Sequence, residues 1–442
     1  MPDLDFLMSE FQERPLPRLT PRSIALPDVA RKPNVVIGMR RTGKTYLLYQ
    51  EMQRLLEAGT DKRDMLYVNF EDDRLHPLAP NVLNEVLETY YRWNPDARER
   101  RAFLFFDEIQ VVPDFGRFVR RVIDTENVRV YLTGSSAKLL HSEVTTELRG
   151  RSLATEVFPF SLAESARYAQ IALPERPPPG PRLRSRLSAH CGRYLEVGGF
   201  PEVQEMPLTE RVQTLQDYVE LVLLRDVIER HSVENPTAAR AFLRTLLQSS
   251  GRMFSVNKVH GDLRSRGLQV SKDSLHALLD HFEDAYLVHA VPIFKQSERA
   301  RASNPRKVYA IDPGLAWAMS HATAVDLGAR LETAVFLELR RRYGRLLQGQ
   351  IAYYRTSSGR EVDFVVGDLF SRKAARLVQA CASLAEPATR KREVEALSEA
   401  MTEAGLASAE IVTPHEAETI DVAAGTIRVV PAWQWMLDVS IR

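Results

Sequence analysis

Residues 34–45, with the sequence NVVIGMRRTGKT, decide the fold of the first part of this chain. Gly38 and Gly43 bracket four residues, and Lys44 and Thr45 follow directly. This spacing is the G-x-x-x-x-G-K-[ST] pattern of a phosphate-binding loop. The pattern predicts a nucleotide site near the amino end of the chain.

The flanking residues place this loop between a strand and a helix. Residues 35–37 are Val, Val and Ile, and apolar residues recur at helical spacing after the loop until Gly59. Backbone N–H groups of such a loop and helix start can surround phosphate oxygens. We expect Lys44 to reach the β- and γ-phosphates and the Thr45 hydroxyl to hold Mg²⁺. The residues predicted to hold the nucleotide are Gly38, Met39, Arg40, Arg41, Thr42, Gly43, Lys44, Thr45 and Tyr46.

A second apolar run ends in two acids. Residues 102–106 (AFLFF) have the composition of a buried parallel strand, and Asp107 and Glu108 follow. The carboxyl ends of such strands are where open α/β sheets bind their ligands. We expect Asp107 to hold magnesium and Glu108 to orient or deprotonate a water that attacks the γ-phosphate.

Three further strands complete the predicted sheet, at residues 65–70, 128–132 and 154–158. The predicted role of Thr133, directly after the second of these, is to sense the γ-phosphate. For Ser135 and Ser136 two interpretations remain open: contact with the phosphate or the attacking water, and an ordinary helix cap.

Together with seven further motifs, these features make the chain resemble a known class of proteins. The chain resembles AAA-type ATPases, and more narrowly the bacterial and archaeal ATP-binding proteins that join an AAA module to a C-terminal domain of unknown function with a nuclease-like fold. The resemblance implies an α/β fold: a P-loop AAA-type core, a helical and winged-helix region, and a restriction-endonuclease-like α/β domain. It also implies ATP, rather than GTP, as the nucleotide. The motifs are LTGSS at 132–136, LRGR at 148–151, FPFS at 158–161, GGFPE at 198–202, KVYAIDPGL at 307–315, GREVDF at 359–364 and PAW at 431–433.

Composition limits the function classes. Lys and Arg number 59 against 58 Asp and Glu, so no global basic field indicates nucleic acid, and any such site must be a local patch. Two cysteines are too few for a disulfide framework or a zinc cluster and fit a reducing cytoplasm. The first residues lack an apolar signal core, and no apolar run approaches the ~18 residues of a membrane span.

At 442 residues the chain is long enough for two or three domains. The expected organisation is a leader in which three prolines break any helix, an ATPase core, a proline-rich linker, a helical lid-like region, a winged helix and a nuclease-like domain. Their expected bounds are 1–24, 25–165, 166–187, 188–250, 251–320 and 321–442.

The winged-helix prediction rests on two capped helices and two strands. Helices are expected at 256–266 and 272–283, capped by Ser255 and Ser271, with strands at 285–294 and 307–311. In one interpretation Lys272, Ser274 and His276 face a DNA groove. In the other, the same region packs only against protein. Both remain open, because the second helix is not markedly basic.

The nuclease-like domain is predicted to be incomplete. Glu332 on a helix and Asp363 on a strand match the acids that such domains use to bind Mg²⁺. On the next strand, however, Gln379 replaces an acid and Cys381 replaces a lysine. Because Mg²⁺ prefers anionic oxygen ligands, we expect a fold retained for binding without hydrolysis. Nothing in the sequence shows that another lysine, such as Lys373 or Lys391, takes the missing place.

AAA modules commonly hydrolyse ATP at subunit borders, where an arginine of a neighbour stabilises charge on the γ-phosphoryl group. Arg149 and Arg151 lie where related ATPases carry such a residue, and Arg151 is the first candidate because Gly150 lets the backbone turn. The alternative is that both are solvated surface arginines. If Arg151 acts in trans, the protein works as a homo-oligomer.

Overall fold

A computed structural model describes residues 4–135, 152–174, 179–295, 297, 304–320, 326–343, 351–368 and 373–438. The chain divides into two compact units, an amino-terminal unit, Met1–Val157, and a carboxy-terminal unit, Phe158–Arg442.

The amino-terminal unit is built on a five-stranded parallel sheet with the strand order β2-β3-β4-β1-β5. The predicted strands are confirmed to within two residues at each end. Because all five strands are parallel, the carboxyl ends of β1, β3 and β4 lie at the same edge of the sheet. The bounds are β1 Asn34–Ile37, β2 Met65–Asn69, β3 Ala102–Asp107, β4 Val128–Gly134 and β5 Leu153–Glu156.

Four described helices cover this sheet. The helix predicted after the loop is confirmed as α2, and its buried leucines pack on Val36, Phe105 and Tyr131 of the strands. The rings of Phe105 and Tyr131 stack with their centroids 4.5 Å apart. The bounds are α1 Leu4–Glu13, α2 Lys44–Glu57, α3 Val82–Trp93 and α4 Phe115–Thr125.

The first residues are not a helix-free leader, and that prediction is wrong. Helix α1 occupies Leu4–Glu13 and ends before Pro15, so the prolines terminate a helix that precedes them. The Gln12 side chain donates to the carbonyls of Lys62 and Met65, at 3.2 Å each. Phe11 packs against the same core cluster as α2. The segment is therefore part of the folded amino-terminal unit.

The carboxy-terminal unit begins with helices. The linker predicted at 166–187 is partly helical, because one helix ends at Tyr168 and the next begins at Pro181. Helices also occupy much of the predicted helical region at 188–250. The α7 helix continues as a π-helical segment, Leu223–Glu229. Two leucines of this stretch, Leu221 and Leu224, are 36% and 41% exposed. The buried positions here are 218, 219, 222, 223, 226 and 227, and the two exposed leucines fall between them. The bounds are α5 Leu162–Tyr168, α6 Pro181–Val197, α7 Leu208–Val222 and α8 Pro236–Gln248.

A three-stranded antiparallel sheet with the order β6-β8-β7 follows, together with two helices. The Ser271 side chain accepts from the Ser274 N–H at 3.0 Å, which confirms the predicted cap of α10. Ser255 occupies the cap position of α9, but its side chain makes no capping bond. The predicted strand at 285–294 is shorter. It begins only at Val288, because Ala285 caps the preceding helix and Tyr286 has a φ of 59°, and it ends before Pro292. The bounds are β6 Arg252–Phe254, α9 Val256–Ser265, α10 Lys272–Asp284, β7 Val288–Val291, β8 Arg306–Ala310 and α11 Pro313–Met319.

The last sheet has six strands in the order β13-β14-β12-β11-β10-β9 and mixes antiparallel and parallel pairs. Helix α13 packs on it over a large apolar cluster. The bounds are α12 Leu327–Tyr343, β9 Ile351–Arg355, β10 Glu361–Asp368, β11 Lys373–Ala380, α13 Pro387–Ala404, β12 Ser408–Thr413, β13 Glu418–Val422, β14 Gly425–Pro431 and α14 Ala432–Leu437.

The two sheets of this unit are joined by backbone hydrogen bonds. Ile293, just after β7, pairs in parallel with Tyr353 of β9. The Phe294 N–H donates to the Tyr353 carbonyl at 2.8 Å, and the Tyr353 N–H donates to the Pro292 carbonyl at 3.0 Å. The domain boundary predicted at residues 320 and 321 is therefore bridged by paired strands.

Several of the motifs that carry the resemblance meet at one buried carboxylate. Asp312 accepts from the backbone N–H groups of Gly199 and Leu315, at 2.6 and 2.9 Å. Burial raises the pKa of Asp312 to about 6. A Cβ atom on Gly199 would lie 2.2 Å from the Phe160 carbonyl oxygen, so only glycine fits at this close approach. Gly199 and Asp312 of these motifs therefore have a packing role in this unit.

No helix in the described ranges is long and apolar enough to cross a membrane.

Candidate nucleotide-binding site

The loop after β1 has the tight geometry that its two glycines allow. A Cβ atom on Gly38 would lie 2.3 Å from the Val157 carbonyl oxygen, and Gly43 has a φ of 94°, in the left-handed region. The Thr42 hydroxyl donates to the Met39 carbonyl at 2.9 Å and holds the loop closed. Helix α2 begins at Lys44 directly after the loop. The predicted order of strand, loop and helix is confirmed.

Lys44 lies inside this loop, and its side chain is 3% exposed. Its ammonium donates to the Met39 carbonyl at 3.2 Å and lies 3.3 Å from Oε1 of Glu108. The cation predicted to reach the phosphates is therefore paired with the acid predicted to activate water. This pairing places the loop and the end of β3 within one charged site.

Asp107 is held by three hydroxyl groups. Thr45 donates to Oδ2 at 2.7 Å, Tyr67 donates to the same oxygen at 3.0 Å, and Thr133 donates to Oδ1. Burial, followed by the nearby charge of Glu108, raises the pKa of Asp107. The Thr45 hydroxyl and the Asp107 carboxylate are adjacent oxygen atoms, a donor set that fits Mg²⁺ and that could hold it together with water and phosphate oxygens.

Glu108 has a backbone conformation that turns it back toward the loop. Its φ is 51°, an uncommon value for a residue other than glycine, and its N–H donates to the Thr133 hydroxyl at 2.9 Å. Gln110 donates to the other carboxylate oxygen at 2.7 Å. Burial alone would raise the pKa of Glu108, but Lys44, Gln110 and Arg40 together lower it. The carboxylate therefore stays ionised at neutral pH, as a general base requires.

The remaining predicted residues of this unit have different surroundings. Tyr46 is 49% exposed and contacts Tyr49 edge-on at a centroid distance of 5.8 Å. Thr133 and Ser135 are buried at the end of β4. Ser136, Arg149 and Arg151 lie outside the described residues.

Sequence reasoning missed Tyr67 and Gln110. Tyr67 lies within a strand of apolar residues, so its composition suggested only core packing. Its hydroxyl reaches Asp107 because β2 and β3 are neighbours in parallel register. Gln110 reaches Glu108 only because Glu108 takes a left-handed conformation, which no pattern in the sequence indicates.

In the carboxy-terminal unit, Glu332 and Asp363 do meet, but around a lysine. Lys307 of β8 places its ammonium 2.9 Å from Glu332, 2.8 Å from Glu361 and 2.7 Å from Asp363. Tyr309 donates to Glu332 at 2.8 Å. Neither Lys307 nor Glu361 was predicted, because β8 lies far from β10 in the sequence.

The two residues that break the nuclease pattern have structural partners. The Gln379 side chain accepts from the Asp363 N–H at 2.9 Å and donates to Glu393 at 2.8 Å. The Cys381 thiol donates to the Ser383 carbonyl at 3.2 Å, and burial raises its pKa. Lys391, one of the lysines considered as a replacement, is instead exposed and lies 3.9 Å from Glu395.

The three residues proposed to face DNA, Lys272, Ser274 and His276, are all exposed on α10. An open cavity of about 960 Å³ lies beside the first turn of this helix. Its lining includes Arg264, Ser271 and Ser274. This surface is accessible to a partner of either class.

Comparison with known proteins divides the chain into three matched regions. Residues 30–166 match the AAA domain model. Residues 189–326 and 327–434 match two domains of unknown function, DUF8612 and DUF4143. The first match covers the loop, Asp107 and Glu108, and makes this part of the chain a P-loop ATPase domain.

Solved structures share parts of this fold at low similarity. The Walker-type ATPase PABY2304 of Pyrococcus abyssi aligns with a TM-score of 0.41 and 17% identity, over 65% of this chain and 91% of that one. The ORC2 protein of Aeropyrum pernix, in its ADP form, aligns with a TM-score of 0.32 and 14% identity, over 66% and 87%. The assignment rests on the family model and not on these alignments.

Two relatives extend the similarity beyond the ATPase domain. An uncharacterized protein of Haemophilus influenzae is 26% identical over 333 residues, which is 75% of this chain and 78% of that protein. The uncharacterized protein MJ1544 of Methanocaldococcus jannaschii is 31% identical over 423 residues, which is 94% of this chain and 90% of the relative. With an AAA domain and this near full-length similarity, the chain is a P-loop ATPase that belongs to the same family as MJ1544.

Proposed function

We propose that the chain binds Mg-ATP at residues 38–46 and hydrolyses it. One observation carries the proposal: Lys44, Thr45, Asp107 and Glu108 form a single contacting cluster at the carboxyl edge of the sheet. Calorimetric titration of the full chain with Mg-ATP tests it, and an absence of binding would refute it.

The geometry supports an exchange of partners on Lys44. The ammonium now neutralises Glu108, and a bound triphosphate would compete for the same charge. Release from Lys44 would leave Glu108 free to take a proton from water. The water oxygen then bonds to the γ-phosphorus, the bond from that phosphorus to the β,γ-bridging oxygen breaks, and ADP leaves. Mg²⁺, held through Thr45 and Asp107, would supply charge neutralisation for the phosphate oxygens.

Thr133 is proposed to link the two acids. Its hydroxyl donates to Asp107 and accepts from the Glu108 backbone, and its side chain is fully buried. If Thr133 senses the γ-phosphate, it would therefore do so indirectly, through its contacts with Asp107 and Glu108. Ser135 remains a candidate contact of the phosphate.

Nucleotide turnover is proposed to change the state of the carboxy-terminal unit and to occur in a homo-oligomer. The oligomer proposal rests on the resemblance and on Arg151 or Arg149 as an arginine in trans. Size measurements with and without a non-hydrolysable ATP analogue test it.

Cys191 and Cys381 are buried thiols outside any disulfide, which supports the cytoplasmic location proposed from the sequence.

The helices and strands between residues 252 and 310 support a winged helix. We propose that its exposed residues Lys272, Ser274 and His276 contact DNA, with Arg264 near the phosphates. Affinity for duplex DNA should then fall steeply with salt, with a slope of about −0.9 per phosphate contact. Lys272→Ala should reduce that slope by about one contact, whereas an equal charge change at Lys391 should leave it unchanged. Salt-insensitive or absent binding would favour the alternative, in which this unit contacts only protein.

Lys307 supports the proposal that the nuclease-like domain does not cleave DNA. The ammonium lies among the three carboxylates where a divalent cation would otherwise sit. Burial alone would lower the pKa of Lys307, but Asp363, Glu332 and Glu361 together raise it, so the ammonium remains charged. The site is therefore an internal ion cluster that a metal could enter only by expelling Lys307.

We predict that Lys307→Met destabilises the carboxy-terminal unit by about 3 kcal/mol, at the low end for a broken buried ion pair because Glu361 is 31% exposed. Without the ammonium, the buried carboxyls are stable only when protonated. Their pKa in the folded state then exceeds that of the unfolded chain, so stability is lost as pH rises above the unfolded value of about 4.5. The loss of Tm should be larger at pH 8 than at pH 5.

Lys391→Met is the matched control for this experiment. It removes a lysine that is 76% exposed and should leave the Tm unchanged at both pH values. A Lys307→Met protein as stable as the wild type at pH 8 would contradict the ion-cluster interpretation.

A further inference from the structure

The phosphate-binding loop carries a second basic side chain with a defined position. Arg40 lies between the two loop glycines, and its guanidinium donates to Oε1 of Glu71 at 2.8 Å. Glu71 lies two residues after the end of β2, at the edge where Asp107 ends β3. The Arg40 side chain is only 19% exposed, so the loop and its surroundings shield most of it from water.

Arg40 lies close to the charged residues of the site through its loop and through its partner. It precedes Lys44 by four residues in the same loop, and Glu71 follows the strand that neighbours β3 in parallel register. The loop therefore carries two cations, each paired with a carboxylate at the carboxyl edge of the sheet.

The two cations of the loop have the same kind of partner. Lys44 is paired with Glu108, and Arg40 is paired with Glu71. Each carboxylate is therefore the present counter-ion of a cation that a phosphate group would also attract. A triphosphate that enters the loop brings more negative charge than either carboxylate. It therefore competes with both at once.

We propose that Arg40 is an arginine in cis for the γ-phosphoryl group, and that it exchanges Glu71 for the terminal phosphate when ATP binds. The proposal rests on the proposed ATPase function and adds a residue that stabilises charge on the transferring group. Glu71 is 37% exposed, so its carboxylate can return to water at little cost once Arg40 has left it. A planar guanidinium can bind two phosphate oxygens together, which a lysine cannot.

The exchange has a consequence for nucleotide choice. ATP carries the γ-phosphate that would bind Arg40, whereas ADP lacks it. Arg40 should therefore distinguish ATP from ADP, while Lys44 and the loop backbone serve both nucleotides. During hydrolysis the water oxygen bonds to the γ-phosphorus, the bond to the bridging oxygen breaks, and Arg40 neutralises charge on the oxygens that do not take part.

The test compares Arg40→Ala, Arg40→Lys and Glu71→Gln in the full chain. Affinities for ADP and for the β,γ-imido analogue of ATP are measured by calorimetry with Mg²⁺, and kcat is measured separately. Arg40→Ala should weaken analogue binding about 10-fold, leave ADP binding within about 2-fold, and lower kcat at least about 100-fold. Arg40→Lys should retain part of the binding but little of the kcat. Glu71→Gln should strengthen analogue binding about 3-fold, because it removes the competing charge.

Arg40→Ala and Glu71→Gln should have opposite effects on the affinity for the analogue if Arg40 binds the γ-phosphate, and this comparison separates a catalytic role from a merely structural ion pair. If Arg40 and Glu71 only hold the loop, both variants should weaken both nucleotides alike, and the proposal is wrong. Arg63→Ala is the control, since Arg63 is an exposed arginine of the same unit paired with Asp61 at 2.7 Å. It should match the wild type. If the wild type binds neither nucleotide, the proposed function itself fails. If it binds and hydrolyses ATP and Arg40→Ala does the same, only the role of Arg40 fails.

Discussion

Lys44→Ala is expected to abolish measurable binding of Mg-ATP and its turnover. Lys44 is nearly fully buried, and its ammonium is the loop cation that contacts the predicted general base. Truncating one partner of a buried charge interaction costs about 2–5 kcal/mol. In affinity this is a loss of about 30-fold to several thousand-fold. Calorimetry with Mg-ATP and a steady-state phosphate-release assay measure the two losses.

A control for folding is needed, because Lys44 also donates to the Met39 carbonyl within the loop. The variant should unfold at a lower Tm because Glu108 loses its counter-ion, but it should still unfold cooperatively, since the loop keeps the Thr42 hydrogen bond to the same carbonyl. Arg63→Ala, which also removes one positive charge from the amino-terminal unit, should retain full activity. Normal steady-state turnover by Lys44→Ala would remove the proposed mechanism.

Glu108→Gln is expected to separate binding from hydrolysis. The amide keeps the size of the side chain and can still accept from Gln110, but it cannot take a proton from water. Loss of a positioned general base lowers kcat by about 10²- to 10⁴-fold. ATP binding should be retained or slightly stronger, because the variant removes the carboxylate that now pairs with Lys44. Single-turnover kinetics and calorimetry distinguish the two steps.

The matched control is Glu57→Gln at the end of α2. Glu57 accepts from Gln53 at the surface and makes no contact with the site. This substitution changes the same charge in the same unit and should leave kcat unaltered. A Glu108→Gln protein with wild-type turnover would show that another group activates the water.

The nucleotide site could be predicted because its signals are local. The glycine spacing, the apolar run before it and the acids after residues 102–106 each lie within about a dozen residues, and each specifies its own backbone geometry. Parallel strands then bring these segments to one edge without further information from the sequence. For the same reason Asp107 and Glu108 lie where the pattern indicated.

The parts that sequence reasoning missed depend on pairings between distant segments. Lys307 reaches Asp363 across 56 positions, and Tyr67 reaches Asp107 across 40. Tyr67 stands in no recognisable pattern, and Lys307 begins the KVYAIDPGL motif, which indicated the resemblance and not an ion cluster. The error at α1 has another origin: three prolines after the helix were taken to exclude a helix before them.

The joined sheets of the carboxy-terminal unit have a practical consequence for work on this family. The family models divide the chain between residues 326 and 327, but Lys307 lies on one side of that division and its three acids lie on the other. A recombinant fragment that starts at residue 327 would lose the counter-ion of its own acidic centre and the segment that pairs with Tyr353. Low stability or aggregation of such a fragment would then result from the position of the truncation and would not be a property of the native protein.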